Sequence, residues 1–205
     1  MNAQKKVVLA SNNPHKLREL RELLKPLSLD LVSQSHWNIQ SVEETGSTFV
    51  ENSLIKARHA SAHTGLPSIA DDSGLVVPSL NGDPGIRSAR YAGDHADANL
   101  NNHLLLHRLY EKNDSERDAR AYFCAVLVYI DSVNDPMPEI SIGTWHGQIV
   151  RSSRGSNGFG YDPLFKPDGM SLTAAELEPA TKNKQSHRAR ASQEFVERLK
   201  TRLGN

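Results

Sequence analysis

The stretch Val7-Val8-Leu9-Ala10-Ser11-Asn12-Asn13-Pro14-His15-Lys16 decides the fold class. Its four leading apolar residues read as a short buried strand. Ser11, Asn12 and Asn13 break that strand, and Pro14 suits a first helical position, where its missing N–H costs nothing. Leu17, Leu20, Leu23 and Leu24 then recur at helical spacing. Strand, polar loop and helix in immediate succession open an α/β fold, and the remaining chain keeps up the alternation.

Residues 29–32 read as a second strand. Thr48 with Glu51 forms a capping-box pattern for a helix running toward His63, with Gly65 as its stop and Val50, Leu54 and Ala57 on its inner face. Residues 70–74, Ala-Asp-Asp-Ser-Gly, place two adjacent carboxylates at an expected strand end, before Leu75 to Val77 continue apolar. Asn81-Gly82-Asp83-Pro84-Gly85 is a dense turn signal. A helix is predicted over 98–110 and the longest strand over 120–131. Residues 140–145 and 148–150 read as a hairpin turning at His146-Gly147, and a last helix from near Ser186 is expected to bury Phe195, Leu199 and Leu203.

Composition narrows the function classes. A chain of 205 residues is long enough for one substantial core, and we read a single domain over 1–205. Its 24 basic residues balance 24 acidic ones, so no global field draws it to nucleic acid or to a membrane surface. The single cysteine, Cys124, sits in an apolar run and reads as a buried, inert thiol. The first apolar run, 7–10, is far too short for a signal core or a membrane span, so a cytoplasmic enzyme is expected.

Three constellations carry chemistry. Neighbouring carboxylates such as Asp71 and Asp72 repel, and a desolvated site tolerates them only with a cation or a proton transfer at hand. The loop Ser11 to Lys16 aims backbone N–H groups and a helix N-terminus at one point, which suits an anion; an ordinary N-cap at Asn13 with a solvated Lys16 is the plainer reading. It lacks the Walker-type glycine pattern. Glu43-Glu44-Thr45-Gly46 precedes the helix carrying Glu51, Asn52 and Lys56, and carboxylates such as Glu43 and Asp72 are the hard oxygen ligands Mg²⁺ prefers. Late in the chain, Phe159-Gly160-Tyr161-Asp162 is followed by Lys182 and by Ser186-His187-Arg188. Aromatic rings beside glycines can offer a face to a base, while Lys, His and Arg donate to carbonyls or phosphates. Taken singly, the rings also suit a core, and the basic group also suits simple decoration of a helix start.

In register along nearly the whole chain, V-V-L-A-S-N-N-P-H-K, E-E-T-G, E-N-S-L-I-K-A, A-D-D-S-G-L, G-D-P-G-I-R-S-A-R-Y-A-G, G-F-G-Y-D-P-L-F, T-A-A-E-L and S-H-R-A-R-A resemble the inosine/xanthosine triphosphate pyrophosphatase family. Where many members have T-G-N in the first loop, this chain has Ser11-Asn12-Asn13. The resemblance implies a long, mixed, twisted central sheet flanked by helices, with two lobes around a nucleotide cleft, and a homodimer. It implies hydrolysis of dITP, ITP and XTP to monophosphate and pyrophosphate, which keeps deaminated purines out of DNA and RNA. It assigns Asp72 as proton acceptor, and Glu43 and Asp72 as Mg²⁺ ligands with Glu44 and Asp71 in support. Ser11, Asn12, Asn13, Pro14, His15, Lys16 and Lys56 would hold the triphosphate, and Ser73 would touch substrate. Phe159, Gly160, Tyr161, Asp162, Lys182, His187 and Arg188 would form the base pocket. Donors there would pair with a purine 6-carbonyl and not with the 6-amino group of adenine, a mismatch that can cost roughly 10⁴-fold. A nucleotide sensor without catalysis would not need the acidic residues, and a phosphatase working through an aspartyl-phosphate would release orthophosphate.

Overall fold

Val7, Val8 and Leu9 in the first strand, β1 (Lys6–Leu9), have no solvent exposure at all. A strand buried on both faces is what a central parallel strand requires, and it explains the continuous rather than alternating apolar run. The computed structural model describes residues 4–110 and 118–204. After β1 come α1 (Pro14–Leu23), β2 (Asp30–Ser33), α2 (Phe49–Thr64), β3 (Ser68–Val76), α3 (Ala98–Tyr110), β4 (Arg120–Ile130), β5 (Glu139–Ile149), β6 (Phe165–Pro167), α4 (Pro179–Gln185) and α5 (His187–Leu203). The strands form one mixed sheet in the order β2-β1-β3-β4-β5-β6. β1 pairs in parallel with both β2 and β3, whereas β5 and β6 pair antiparallel. The expected mixed α/β sheet with helices is therefore present.

The chain divides into two compact units. The first comprises Met1–Asp72, Ala125–Gly143 and Arg190–Asn205. Its core joins Leu9, Leu20, Leu24 and Leu27 to Ile69, Leu127, Tyr129, Phe195 and Leu199. Full burial of each such large side chain contributes about 1.5–3 kcal/mol. The second unit comprises Ser73–Cys124 and Thr144–Ala189, and its core gathers Leu75, Leu105, Leu109, Phe123, Trp145, Tyr161 and Phe165.

Local chemistry explains the helix boundaries. Thr48 Oγ1 accepts from the Glu51 N–H at 3.2 Å, Glu51 Oε2 accepts from the Ser47 N–H at 2.8 Å, and Gly65 ends α2 in the left-handed conformation at φ 67°. The inner face of α2 differs from the expected one. Val50 and Leu54 are only half buried, and the enclosed positions are Asn52, Ser53, Ala57, Ala60 and Ser61. Small side chains allow the helix to lie close to the sheet, where Ser68 Oγ donates to the Ala57 carbonyl at 2.7 Å.

Two strand expectations need correction. Asp71 and Asp72 lie inside β3, not at its end, because Leu75 and Val76 carry the same strand onward. The hairpin at His146-Gly147 does not exist: β5 runs unbroken through both residues. Gly147 is required for close approach, since a Cβ there would lie 2.3 Å from the Lys166 carbonyl oxygen of β6. The last helix, α5, starts at His187 as expected and buries Phe195 and Leu199, with Leu203 only half buried; the short α4 precedes it, separated at Ser186.

Candidate active site

Two parallel strands, β1 and β2, end side by side and release the loops that line one cavity of the first unit. Carboxyl ends of adjacent parallel strands are the usual binding position in α/β sheets. Ser11 Oγ accepts from the Asn13 N–H at 3.2 Å, and Asn13 Oδ1 accepts weakly from the Lys16 N–H at 3.4 Å, so Asn13 does cap α1. The loop is tied to the neighbouring one by Ser33 Oγ, which donates to the Ser11 carbonyl at 2.7 Å. The cavity measures about 170 Å³ and is lined in part by Ser11, Asn12, Gln34, Ser41 and Val42, together with Lys16, Lys56, Glu44 and Asp71. Pro14 and His15 open α1; the His15 side chain lies outside the described residues.

The acidic residues in β3 are met by lysines. Lys16 Nζ lies 3.1 Å from Asp71 Oδ1 and 2.9 Å from Oδ2, and Asp71 is almost wholly buried. Lys56 Nζ donates to Glu44 Oε1 at 2.9 Å and to Asp72 Oδ1 at 3.0 Å. The glycine of E-E-T-G sets this up. Gly46 donates its N–H to Asn52 Oδ1 at 2.8 Å, and a Cβ at Gly46 would fall 2.6 Å from Glu51 Cβ, so only glycine lets the loop press onto the start of α2. Glu44 is thereby brought to Lys56, whereas Glu43 is exposed.

Burial raises the pKa of Asp72 above the usual carboxylate value; Lys56 opposes the shift by charge and hydrogen bond, and Glu44 and Asp71 reinforce it. Burial disfavours the Lys56 ammonium, but the charges of Asp72 and Asp71 and the bond to Glu44 outweigh it, and its pKa is raised. Asp72 Oδ2 is buried and has no hydrogen-bond partner among the described residues. An unsatisfied carboxylate oxygen is costly to hold, by about 1–3 kcal/mol or more, so it marks a place where a proton, a water or a cation would be stabilised. Among the described residues no three His, Cys, Asp or Glu side chains converge into an all-protein metal site.

A second cluster forms within the second unit. Phe159 is 69 % exposed, with Lys182 Nζ 5.3 Å and Arg188 Cζ 5.9 Å from its ring centroid. Asp162 Oδ2 accepts from Lys182 Nζ at 2.5 Å and from the Phe159 N–H at 2.7 Å. Gly158, at φ +80°, makes room for that pair, because a Cβ would lie 2.2 Å from Asp162 Oδ2 and 2.8 Å from Lys182 Nζ. Arg188 Nη2 reaches Ser73 Oγ at 3.4 Å, and His187 stacks on Phe123 with ring centroids 4.9 Å apart. Tyr161 turns inward: it is buried and donates its hydroxyl to the Ser88 carbonyl at 2.9 Å, which leaves only its backbone for a ligand. The Gly160 carbonyl accepts from Asn102 Nδ2 at 3.1 Å. T-A-A-E-L acts as a brace, since Asn157 bonds the carbonyls of Ala175 and Leu177 and Thr173 Oγ1 bonds that of Arg154.

Sequence reasoning missed Gln34, Ser41 and Val42 in the cavity and the positioning contacts of Gly158 and Asn102. No motif marks the first three. Position just beyond a predicted parallel strand was the available signal for Gln34.

Fold and site together define an α/β protein with a lysine- and carboxylate-lined pocket suited to a polyphosphate. Residues 7–198 match the sequence model of the Ham1 family. A dITP/XTP pyrophosphatase from Thioalkalivibrio sulfidiphilus is 50 % identical over 96 % of this chain and all of that protein, and one from Acinetobacter baylyi is 48 % identical over 98 % of this chain and 96 % of that protein. The solved structure of a HAM1 protein from Coxiella burnetii superposes with a TM-score of 0.92 at 45 % identity, covering 97 % of this chain and all of that one. The chain belongs to the Ham1 family.

Proposed function

We propose that this chain is a nucleoside-triphosphate pyrophosphatase that hydrolyses dITP, ITP, XTP and dXTP to the monophosphate and pyrophosphate, and so removes deaminated purines from the nucleotide pool. Residues 1–205 act as one catalytic domain in this reading, in keeping with a family match that spans nearly the whole chain. The observation that carries it is the cluster of Asp72, Lys56 and Glu44 beside the Lys16-lined cavity.

The triphosphate enters the cavity formed by Ser11 to Lys16, where Lys16 exchanges Asp71 for a phosphate oxygen and Lys56 adds its charge while keeping its bond to Asp72. Asp72 takes the proton from a water as that water's oxygen attacks the α-phosphorus. The bond between the α-phosphorus and the α–β bridging oxygen breaks, and pyrophosphate leaves. A carboxylate whose pKa is raised by burial is a stronger base for that step than an exposed one. Lys56, bonded to Asp72, orients the carboxylate and limits its shift.

The donor set fits Mg²⁺, which is commonly held by one or two carboxylates plus substrate phosphates and waters, and the unpaired Asp72 Oδ2 gives it a protein oxygen. Asp72 and the Glu43–Glu44 pair would hold it, Glu44 being favoured by the lysine it shares with Asp72. When bound, the ion neutralises phosphate charge and favours departure of pyrophosphate.

Base selection falls to the second cluster. The exposed Phe159 ring offers a stacking face, while Lys182 and Arg188 donate to the 6-carbonyl of hypoxanthine or xanthine. Ser73, His187 and the Gly160–Asp162 turn complete this pocket in the proposal. A homodimeric, cytoplasmic enzyme is also proposed from the family resemblance; light scattering would read the dimer mass. The function is tested by incubating the protein with ITP, XTP, GTP or ATP and Mg²⁺ and identifying the products. Inosine monophosphate with pyrophosphate supports it; diphosphate with orthophosphate, or no turnover, refutes it.

A further inference from the structure

Gln34 belongs to no motif and to none of the roles above, yet it is buried at 4 % exposure and lines the cavity that also receives Lys16, Lys56, Glu44 and Asp71. It begins the 3₁₀ turn Gln34–Trp37, held by Ser33 Oγ accepting from the Ser35 N–H at 3.2 Å. The Gln34 backbone carbonyl is used to end that turn, accepting from the Asn38 and Ile39 N–H groups. The side-chain amide has no hydrogen bond within the described residues, although it is not one of the fully enclosed, unsatisfied atoms.

We propose that Gln34 is a further phosphate-binding residue, whose Nε2 donates to an oxygen of the polyphosphate chain held in this cavity. The inference rests on the proposed reading of the cavity as the triphosphate site. An amide carries two donors and adds no charge. That suits a pocket where Lys16 and Lys56 already supply positive charge. An amide on the cavity wall exchanges water for the anion, and hydrogen bonds to charged acceptors are the stronger kind.

The test is calorimetric titration of wild type, Gln34→Met and Gln34→Glu with inorganic tripolyphosphate and with orthophosphate at fixed Mg²⁺, alongside steady-state kinetics with ITP. Gln34→Met keeps the volume and removes the donors, and should weaken tripolyphosphate binding about tenfold, with Gln34→Glu weaker still. KM for ITP should rise and kcat stay close to wild type. A tripolyphosphate affinity within about twofold of wild type in folded Gln34→Met overturns the proposal. Wild type supplies a measurement that needs no variant: the Gln34 side-chain amide resonances should shift downfield on adding tripolyphosphate, and their failure to move overturns it equally. Wild type that binds tripolyphosphate and gives these shifts but turns over no 6-oxopurine triphosphate would refute the proposed function and leave the Gln34 assignment standing.

Discussion

Replacing Lys56 with methionine removes one charge from the centre of the carboxylate cluster while keeping most of its volume. Lys56 Nζ lies within 3.0 Å of both Glu44 and Asp72, and the three side chains are 15 %, 21 % and 12 % exposed. Removing one partner of a buried ion pair costs about 3–5 kcal/mol, and the residual exposure places this site near the lower end, about 3 kcal/mol. At about 2–4 °C per kcal/mol for a protein of this size, the melting temperature at pH 7.5 should fall by about 6–12 °C. The loss should depend on pH. Burial already raises the Asp72 pKa above 3.8, with Lys56 opposing it. Without Lys56, burial, Glu44 and Asp71 act unopposed, and the carboxyl takes up its proton at a higher pH. A raised folded-state pKa gives a stabilising contribution that is present at low pH and lost as pH rises through that value. The deficit of Lys56→Met should therefore be largest near neutrality and shrink toward pH 5. Calorimetric melts at pH 5.0, 6.2 and 7.5 read this directly. A fall of less than about 2 °C at pH 7.5, or an equal fall at every pH, would refute the electrostatic account of the cluster.

Two further predictions bear on other parts of the molecule. Gly158→Ala should displace Asp162 and Lys182 from each other, raising KM for ITP and narrowing the preference for ITP over ATP while kcat changes less; unchanged discrimination would show that the Asp162–Lys182 pair does not select the base. Asp131 is partly buried, which disfavours its charge, but bonds from Tyr129, Lys5 and Arg202 prevail and hold its pKa down at about 2. A depression from 3.8 to about 2 corresponds to about 2.5 kcal/mol unscreened, and 43 % exposure reduces it to about 1. That stability is present above pH 3.8 and lost as pH falls toward 2, so Asp131→Asn should be less stable at pH 7 by about 1 kcal/mol and should match wild type near pH 2 in urea titrations. A deficit that persists at pH 2 would point to lost packing instead.

How legible the sequence was depended on how local the deciding physics is. The α3 boundaries, 98 and 110, follow from its leucine spacing, and the capping box at Thr48 and Glu51 is a four-residue device that needs no tertiary partner. β5 continues through His146-Gly147, where the sequence suggests a turn, because a glycine serving a turn and one serving a close neighbour look alike until β6 is in place. The Asp71–Asp72 pair was conspicuous, but its setting inside a continuous strand depends on burial that no short stretch reveals. Glu43 and Glu44 could not be told apart in sequence; the press of Gly46 onto α2 separates an exposed carboxylate from one bonded to Lys56. Tyr161 sits in the same motif as Phe159, yet only tertiary packing turns one ring to Ser88 and leaves the other open. Gln34 has no pattern to find it by, since its interest lies in lining a cavity that only the folded chain encloses.

The proposed mechanism turns on Asp72, which activates water for attack at the α-phosphorus of a 6-oxopurine nucleoside triphosphate. The most direct test is turnover of ITP in ¹⁸O-labelled water by wild type and by Asp72→Asn, with mass analysis of both products and a parallel titration of nucleotide binding. The account predicts label in the inosine monophosphate and none in the pyrophosphate for wild type, and for Asp72→Asn a loss of turnover with nucleotide binding largely kept. Label in the pyrophosphate, or near-normal turnover by the variant, would contradict it.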